Sequence, residues 1–210
     1  MAIVKQSASV PSPVKKYLSF SGKTGNFSYW DKENKKEVEV TLPLKFVVLD
    51  ELSTIVGWDD GSSSKIYSNE IHSTKKQQFV VRSKDGVKAE GFYNDIKGKL
   101  ATIGAKYSKS VYVLIDGEIC NINMKGAVLK AWIDKGDAGN TWSVSDTESR
   151  KKGSVSYKVP VFKKETDVAK DISKAEGLYT SILLPYLHKD IVSEILSEVE
   201  DDDFDNDMPF

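Results

Sequence analysis

The sequence is poor in the residues that most often build catalytic and metal sites. Its 210 residues include one cysteine and two histidines. A single cysteine cannot form an intramolecular disulfide or a zinc site of several cysteines, and this usage is typical of a reducing compartment. No apolar run approaches the roughly 20 residues that a membrane-spanning helix needs, and residues 1–13 lack the apolar core of a secretory signal. We therefore expect a cytoplasmic protein with no membrane partner.

Arginine is also scarce. Arg82 and Arg150 are the only two arginines, and the other 28 of the 30 basic residues are lysines. Lysine is a mobile point charge, whereas arginine presents a rigid fork that pairs with planar groups. The basic charge therefore suits general attraction to phosphates better than recognition of individual bases.

The formal net charge of -1 conceals two regions of opposite sign. From Asp190 to Phe210 the chain has nine of its 31 acidic residues and no lysine or arginine. Residues 1–189 therefore carry 30 basic and 22 acidic side chains, a net charge of +8. A basic body with an acidic tail indicates a protein that binds nucleic acid.

Hydrophobic periodicity predicts a mainly β body with appended helices. Alternation is clearest from Glu37 to Leu49, where we expect one strand with Pro43 at an edge or a bulge. Other strands are predicted at 17–20, 26–30, 52–58, 65–67, 78–82, 110–116, 118–124, 141–147 and 153–163, with a hairpin turn at Asp116-Gly117. Helices are predicted at 95–106, capped by Asn94 or Asp95, at 125–134, from about 166 to an end or kink near Pro185, and from about 188 to 199.

Many short strands without regular strand–helix alternation favour a small closed or partly open barrel over a parallel α/β fold. We divide the chain into a flexible arm at 1–16, a β domain at 17–165, a helical extension at 166–199 and a disordered acidic segment at 200–210.

The sequence contains no recognisable catalytic constellation. His72 and His188 are predicted to be surface residues, and Cys120, in a strand, is predicted to be a small core residue. Gly22-Lys23-Thr24 resembles the end of a phosphate-binding loop, but Tyr17 stands where that loop needs its first glycine. We therefore predict that the protein is not an enzyme and has neither a cofactor nor a metal.

Aromatic residues are interleaved with lysines along the body. Single-stranded nucleic acid uses both, because its unpaired bases stack on aromatic faces, at about 1–3 kcal/mol each, while its phosphates follow a positive groove. Since a barrel also needs large core residues, we expect roughly half of the aromatics to be buried. The predicted stacking residues are Tyr29, Trp30, Trp58, Tyr67, Phe92, Tyr93 and Trp142, with Tyr29, Trp58, Tyr67 and Trp142 the better exposed. The predicted phosphate contacts are Lys65, Lys75, Lys76, Arg82, Lys84 and Arg150.

The most specific signal is the acidic tip at 201–210, Asp-Asp-Asp-Phe-Asp-Asn-Asp-Met-Pro-Phe. Acidic residues beside a terminal aromatic and carboxylate suit capture by a basic pocket with an apolar slot. The ten residues resemble the C-terminal tip of the single-stranded DNA-binding proteins of bacteria and their phages, an acidic run that closes in Pro-Phe or a terminal Phe. The tip residues are Asp201, Asp202, Asp203, Phe204, Asp205, Asp207, Met208, Pro209 and Phe210.

This resemblance implies an OB-fold that coats single-stranded DNA without sequence preference during replication, recombination or repair. The helical extension departs from the flexible linker of the bacterial members and favours a phage-encoded type, which would act in the host cytoplasm. The tip would recruit polymerases, helicases or nucleases, and without DNA it would compete for the basic groove. Whether the protein forms a homo-oligomer stays open.

Three alternatives also stay open. The first is an adaptor of the replication machinery whose tail binds a protein while the body binds no nucleic acid. The second is a metal-dependent nuclease or accessory enzyme with a site built from dispersed carboxylates, for which the adjacent pair Asp59 and Asp60 has no further partner nearby in the sequence. The third is an RNA-binding role, since stacking and lysine contacts do not read the 2′-hydroxyl.

Overall fold

The computed structural model describes residues 11–72, 76–135 and 140–188. Within these ranges twelve strands form one mixed sheet, so the mainly β class is confirmed. The strands are β1 Lys16–Phe20, β2 Phe27–Asp31, β3 Lys36–Val40, β4 Leu44–Asp59, β5 Ser64–Ser68, β6 Ile71–His72, β7 Phe79–Ser83, β8 Gly86–Gly91, β9 Ala105–Ile115, β10 Glu118–Lys125, β11 Thr141–Lys152 and β12 Val155–Lys164. The helices are α1 Tyr93–Thr102, α2 Gly126–Ile133, α3 Ala169–Leu178 and α4 Leu184–Leu187, with a π-helical turn at Tyr179–Leu183 between the last two.

Strands β4 and β9 are the central pair of this sheet. The path of neighbouring strands runs β3-β2-β1-β10-β9-β4-β5-β7-β8, with β1 and β10 parallel. The first residues of β4, Leu44 to Val47, also pair with β11, and β11 pairs with β12. The last residues of β4, Val56 to Asp59, pair with β5. One long strand therefore takes part in two differently built halves of the sheet.

The larger of two main cores lies where β1, β2, β9, β10, β11 and β12 surround the first part of β4. Helix α2 covers this core with Trp132, whose ring centroid lies 5.1 Å from that of Trp142 and 5.0 Å from that of Phe162. Fully buried side chains here include Phe27, Phe46, Ile122, Val144 and Phe162. Burial of this many large apolar groups stabilises the first half of the sheet.

The smaller core lies under the second half of β4. Ile55, Ile66 and Val81 point to the same side of β4, β5 and β7, where Ile96 and Leu100 of α1 cover them. The period of two in the strands and the spacing of four in the helix bring these residues together. Helix α1 therefore buries one face of β4, β5 and β7 and leaves the opposite face uncovered by α1.

A polar contact marks the boundary between the two cores. The Glu51 carboxylate accepts a hydrogen bond from Lys109 Nζ at 2.6 Å and another from Trp132 Nε1 at 3.0 Å. Because the carboxylate has both an ion-pair partner and a second donor, it can lie partly buried between two apolar clusters. The contact ties α2 to the central pair of strands.

The strand predicted from Glu37 to Leu49 is wrong, because the chain forms two strands there. β3 ends at Val40 and β4 begins at Leu44. Pro43 has no N–H group and cannot donate to a ladder, so the chain leaves the sheet around it. β4 then continues as one strand past the predicted break near residue 50, with a bulge between Val48 and Asp50. The sequence pattern also missed β3 as a separate strand, and it missed β8.

Other local predictions are confirmed. The hairpin of β9 and β10 turns at Asp116 and Gly117, which have φ of +49° and +83°, the positive values that a type I′ turn requires. Helix α2 lies within the predicted range. The predicted caps of α1 are wrong, since the helix begins at Tyr93 and its N-cap residue, Phe92, makes no side-chain cap bond.

The C-terminal helices do not end at Pro185. Pro185 cannot donate to the Ser181 carbonyl, and the chain forms a π-helical turn just before it. The Ser181 hydroxyl donates to the Gly177 carbonyl at 2.6 Å within this segment. Leu183 is completely buried in a cluster that includes Leu52, on the face of the sheet opposite to α1 and α2. The predicted helix at 188–199 falls almost entirely beyond the described residues, and the tip falls outside them.

The close approach of β4 to β9 gives a stability test with a matched control. A Cβ at Gly57 would lie 2.7 Å from the Gly104 carbonyl oxygen and 2.8 Å from Ala105 Cα, whereas a Cβ at Gly98, on α1, meets no described atom within 4 Å apart from its chain neighbours and its own helix backbone. We expect Gly57→Ala to lower the free energy of unfolding by about 1–3 kcal/mol, because backbone must move. We expect Gly98→Ala to raise it by about 0.5–1 kcal/mol, because alanine favours the helix. Urea unfolding of both variants measures the difference, and equal effects would contradict the predicted backbone contact.

Candidate nucleic-acid interface

The face of β4, β5, β7 and their neighbours that α1 leaves uncovered carries aromatic and basic side chains. Along each strand, residues that alternate with the buried ones point to this side of the sheet. We call this surface the outer face. It comprises Val56, Trp58, Lys65, Tyr67, Val80, Arg82, Val87, Glu90 and Lys106.

Strand register places the residues of the outer face in two rows. One row crosses five strands in the order Lys106, Val56, Tyr67, Arg82 and Val87. In the next row Trp58 stands opposite Lys65. Directly opposed residues of antiparallel strands have Cβ atoms about 4.5–5.5 Å apart. Each aromatic ring is therefore next to a cationic side chain.

The two rings of the outer face are open to solvent. Trp58 and Tyr67 are each 52% exposed, as predicted. Lys65, Arg82 and Lys106 are exposed as well, and none of them forms an ion pair with another described residue. Glu90, opposite Val80, contributes a carboxylate at one end of the face. The rings and cations are thus accessible to a ligand that is both flat and anionic.

Four of the predicted site residues therefore come together, namely Trp58, Tyr67, Lys65 and Arg82. Lys84 lies close by, in the turn after β7, where its backbone N–H donates to the Ser64 hydroxyl at 3.4 Å. Lys76 is exposed just before β7, and Lys75 lies outside the described residues. Lys106 was not among the predicted phosphate contacts, and the pairing of β9 with β4 adds it to the face.

The other predicted aromatics lie elsewhere. Phe92 and Tyr93 stand at the start of α1, on the opposite side of the sheet, and the Tyr93 ring centroid is 5.1 Å from that of Tyr107. On β2, Tyr29 is half-buried with Lys16 Nζ 5.7 Å from its ring centroid. Trp30 is 61% exposed, but Glu37 is directly opposite it. That carboxylate makes the surroundings of Trp30 unfavourable for phosphates.

The prediction that Trp142 is exposed is wrong. Trp142 is 4% exposed and packs in the larger core against Trp132. It alternates with Ser143 at the start of β11, where pairing with β4 turns Trp142 and Val144 inward. Arg150, a predicted phosphate contact on the same strand, is half-buried with its guanidinium 3.0 Å from the Glu148 carboxylate.

A second basic region was missed by the sequence reasoning. Lys151 and Lys152 are exposed next to the turn of the β11–β12 hairpin, and Val155, after the turn, is 64% exposed. Farther along the hairpin, the Lys158 N–H donates to the Gly22 carbonyl at 2.8 Å, which joins β12 to the β1–β2 turn. The lysine pair beside Gly153 was the signal in the sequence. We call Lys151, Lys152 and Val155 the hairpin tip.

Asp59 has a structural partner. Lys88 Nζ lies 2.9 Å from Asp59 Oδ2 and ties β8 to the end of β4. The nearby Lys88 ammonium, with a smaller contribution from Ser62, lowers the pKa of Asp59 from 3.8 to about 2. The described residues contain no group of three or more His, Cys, Asp or Glu side chains that could hold a metal ion.

The remaining titratable candidates have ordinary surroundings. Cys120 is buried in the larger core, as predicted, and burial raises the pKa of its thiol to about 11. His72 is half-buried with Nε2 3.6 Å from the Asp50 carboxylate, whereas His188 is exposed. None of the described helices is long and apolar enough to cross a membrane.

Comparison of the chain with protein-family models, with curated proteins and with solved structures gives no match. What the protein binds is therefore inferred from the chemistry of its surface.

The Asp59–Lys88 ion pair predicts a pH dependence of stability. Because the pKa of Asp59 is lower in the folded state than its ordinary 3.8, the stabilisation is present above that value and is lost as the pH falls toward about 2. We expect Asp59→Asn to destabilise the protein at neutral pH and to have little effect near pH 2. Urea unfolding across this range measures the change. A double-mutant cycle with Lys88→Met is the control, and a difference that stays constant with pH would rule the ion pair out as its cause.

Proposed function

We propose that this protein binds single-stranded DNA through the outer face and does so without sequence preference. The observation that carries the proposal is the pairing of exposed Trp58 and Tyr67 with Lys65 and Arg82 on adjacent strands. Unpaired bases stack on aromatic faces regardless of their identity, and adjacent cations attract the phosphates that join them. A duplex presents no unstacked base to such rings, so the face suits a single strand.

The order of strands supports the further proposal that the core is an OB-fold. Five of the strands lie side by side in the order β10-β9-β4-β11-β12, all antiparallel, and α2 connects β10 to β11. If β4 is taken as the first strand, the order is 3-2-1-4-5, which is that of a five-stranded OB-fold. Such folds bind oligonucleotides on strands 2 and 3 and on the loops between strands 1 and 2 and strands 4 and 5.

In this numbering the two basic regions of the protein occupy the two binding loops. Residues 60–104 form the connection between the first and second strands and carry Lys65, Tyr67 and Arg82. The hairpin tip flanks the connection between the fourth and fifth strands. The C-terminal helices cover Leu52, Tyr112 and Ile119, and the last two residues lie on the second and third strands. Because the helices occupy that part of the sheet, we place the main contact on the 60–104 side, at the outer face.

The acidic tip would give this protein its protein partners. We propose that Phe210 and the acidic residues before it bind basic pockets on polymerases, helicases or nucleases. The same acidic residues would compete with DNA for the basic body, whose net charge is +8. Phosphate and carboxylate would then be alternative anions for one surface.

Removal of the two exposed rings tests the main proposal. We expect Trp58→Ala/Tyr67→Ala to weaken binding of a labelled oligo-dT by about 25-fold or more, since each stack is worth about 1–3 kcal/mol. Fluorescence anisotropy of the oligonucleotide measures the affinity. Trp30→Ala is the matched control, because it removes a ring that is exposed to a similar extent but lies beside a carboxylate, and it should leave the affinity unchanged.

The cations of the outer face predict a salt effect. We expect Lys65→Ala/Arg82→Ala to reduce the slope of log affinity against log salt by about 1.4, because each phosphate contact on a single strand contributes about 0.7. The same titration with duplex DNA and with RNA of equal length tests the selectivity. Wild-type protein that binds no single strand, or that prefers duplex, would refute the proposed function.

Deletion of residues 201–210 tests the competition. We expect the truncated protein to bind oligo-dT more tightly at low salt and with a steeper salt dependence, because the competing carboxylates are gone. A full-length variant with Asp201, Asp202, Asp203, Asp205 and Asp207 changed to Asn separates charge from length. Unchanged affinity in both proteins at low salt would exclude autoinhibition.

A further inference from the structure

Exposed apolar side chains are concentrated around the smaller core. Eleven large hydrophobic side chains are exposed in the described part of the chain, and five of them belong to this half of the sheet and α1. They are Trp58, Tyr67, Val87, Phe92 and Tyr93. Trp58, Tyr67 and Val87 belong to the outer face, whereas Phe92 and Tyr93 lie on the other side of the sheet.

These five side chains lie along a path that passes around the edge of the sheet at β8. The row of the outer face ends at Val87 on β8, and β8 is the last strand in the path of neighbouring strands. Val87 is 55% exposed there. β8 ends at Gly91, and Phe92 and Tyr93 follow at once, at the start of α1. At about 3.3 Å per residue, the chain from Val87 to Phe92 spans at most about 16 Å.

The surface beyond the edge also has a ring and a cation close together. Tyr93 is held by packing against Tyr107 while 38% of it stays exposed, so little side-chain entropy is left to lose on binding. Lys97 lies four residues farther on and thus on the same side of α1. Phe92, next to Tyr93 in the chain, is 45% exposed.

The charges along the edge are less favourable for binding phosphates than those on the outer face. Lys88 is engaged with Asp59 and Asp85, and Glu90 and Asp95 lie near the same route. Contact in this region would therefore depend on stacking more than on phosphate attraction.

We propose that a single strand of DNA bound at the outer face continues around β8 and stacks on Phe92 and Tyr93. The inference rests on the proposed function and extends it to both sides of the sheet. The protein would thereby cover a longer stretch of DNA than the outer face alone. The second contact would add affinity only for strands long enough to round the edge.

A length series of oligo-dT tests the proposal. Lengths from about 4 to about 30 nucleotides span the sites that an OB-fold covers. We expect Phe92→Ala/Tyr93→Ala to bind the shortest oligonucleotides like the wild type but to lose about 25-fold or more in affinity for the long ones. Its salt slope should stay unchanged, and the number of nucleotides covered at saturation should fall.

Two further variants act as controls. Ile133→Ala removes an exposed apolar side chain of α2 and should change neither affinity nor the length covered. Phe92→Leu/Tyr93→Leu keeps apolar packing at the start of α1 but removes the flat rings, so it carries the same test if the alanine variant fails to fold. Urea unfolding of each variant identifies such a failure.

The outcomes distinguish the two proposals. If the ring-deficient variants bind oligonucleotides of every length like the wild type, while Trp58→Ala/Tyr67→Ala loses affinity, the path around β8 is wrong and the proposed function stands. If wild-type protein binds no single-stranded DNA at any length, the proposed function fails first. Equal losses at all lengths would place Phe92 and Tyr93 in the primary contact and overturn the proposed order.

Discussion

Strands β4 and β9 pair over ten residues of each strand, and both main cores of the protein depend on this ladder. The first half of β4 contributes Leu44 and Phe46 to the larger core, whereas Ile55 belongs to the smaller core. The strands approach so closely near Gly57 that a single added methyl group would contact backbone of the partner. A shift of one residue in this register would move every side chain of β4 to the other face of the sheet, so both cores would be lost together.

The same ladder creates the candidate binding surface. Once α1 covers Ile55 and Ile66, the alternating residues Trp58, Lys65 and Tyr67 must face solvent on the opposite side. The exposed rings are therefore a geometric consequence of burying their neighbours. The Lys88–Asp59 ion pair then joins β8 to the end of β4 and so helps to hold the edge of that surface.

Local signals in the sequence predicted much of the framework. Turn chemistry placed the Asp116-Gly117 hairpin, and helical spacing placed α2. Prediction failed where non-local pairing decides the outcome. Trp142 has polar neighbours and looked exposed, but its pairing with β4 directs it into the larger core. Lys106, in the segment predicted as a helix, instead lies on β9 and joins the outer face.

The sequence by itself determined which kinds of side chain the protein has and how they alternate: a lysine-rich, aromatic body of net charge +8, an acidic tip and a mainly β pattern. These features depend on composition and on short-range periodicity, and both can be recognised within a single strand or turn. Only the tertiary structure decided which rings and cations meet. Tyr67 and Arg82 are 15 residues apart in the chain and become direct neighbours through the pairing of β5 with β7. Such register is set by the burial of the opposite face, which no local segment contains.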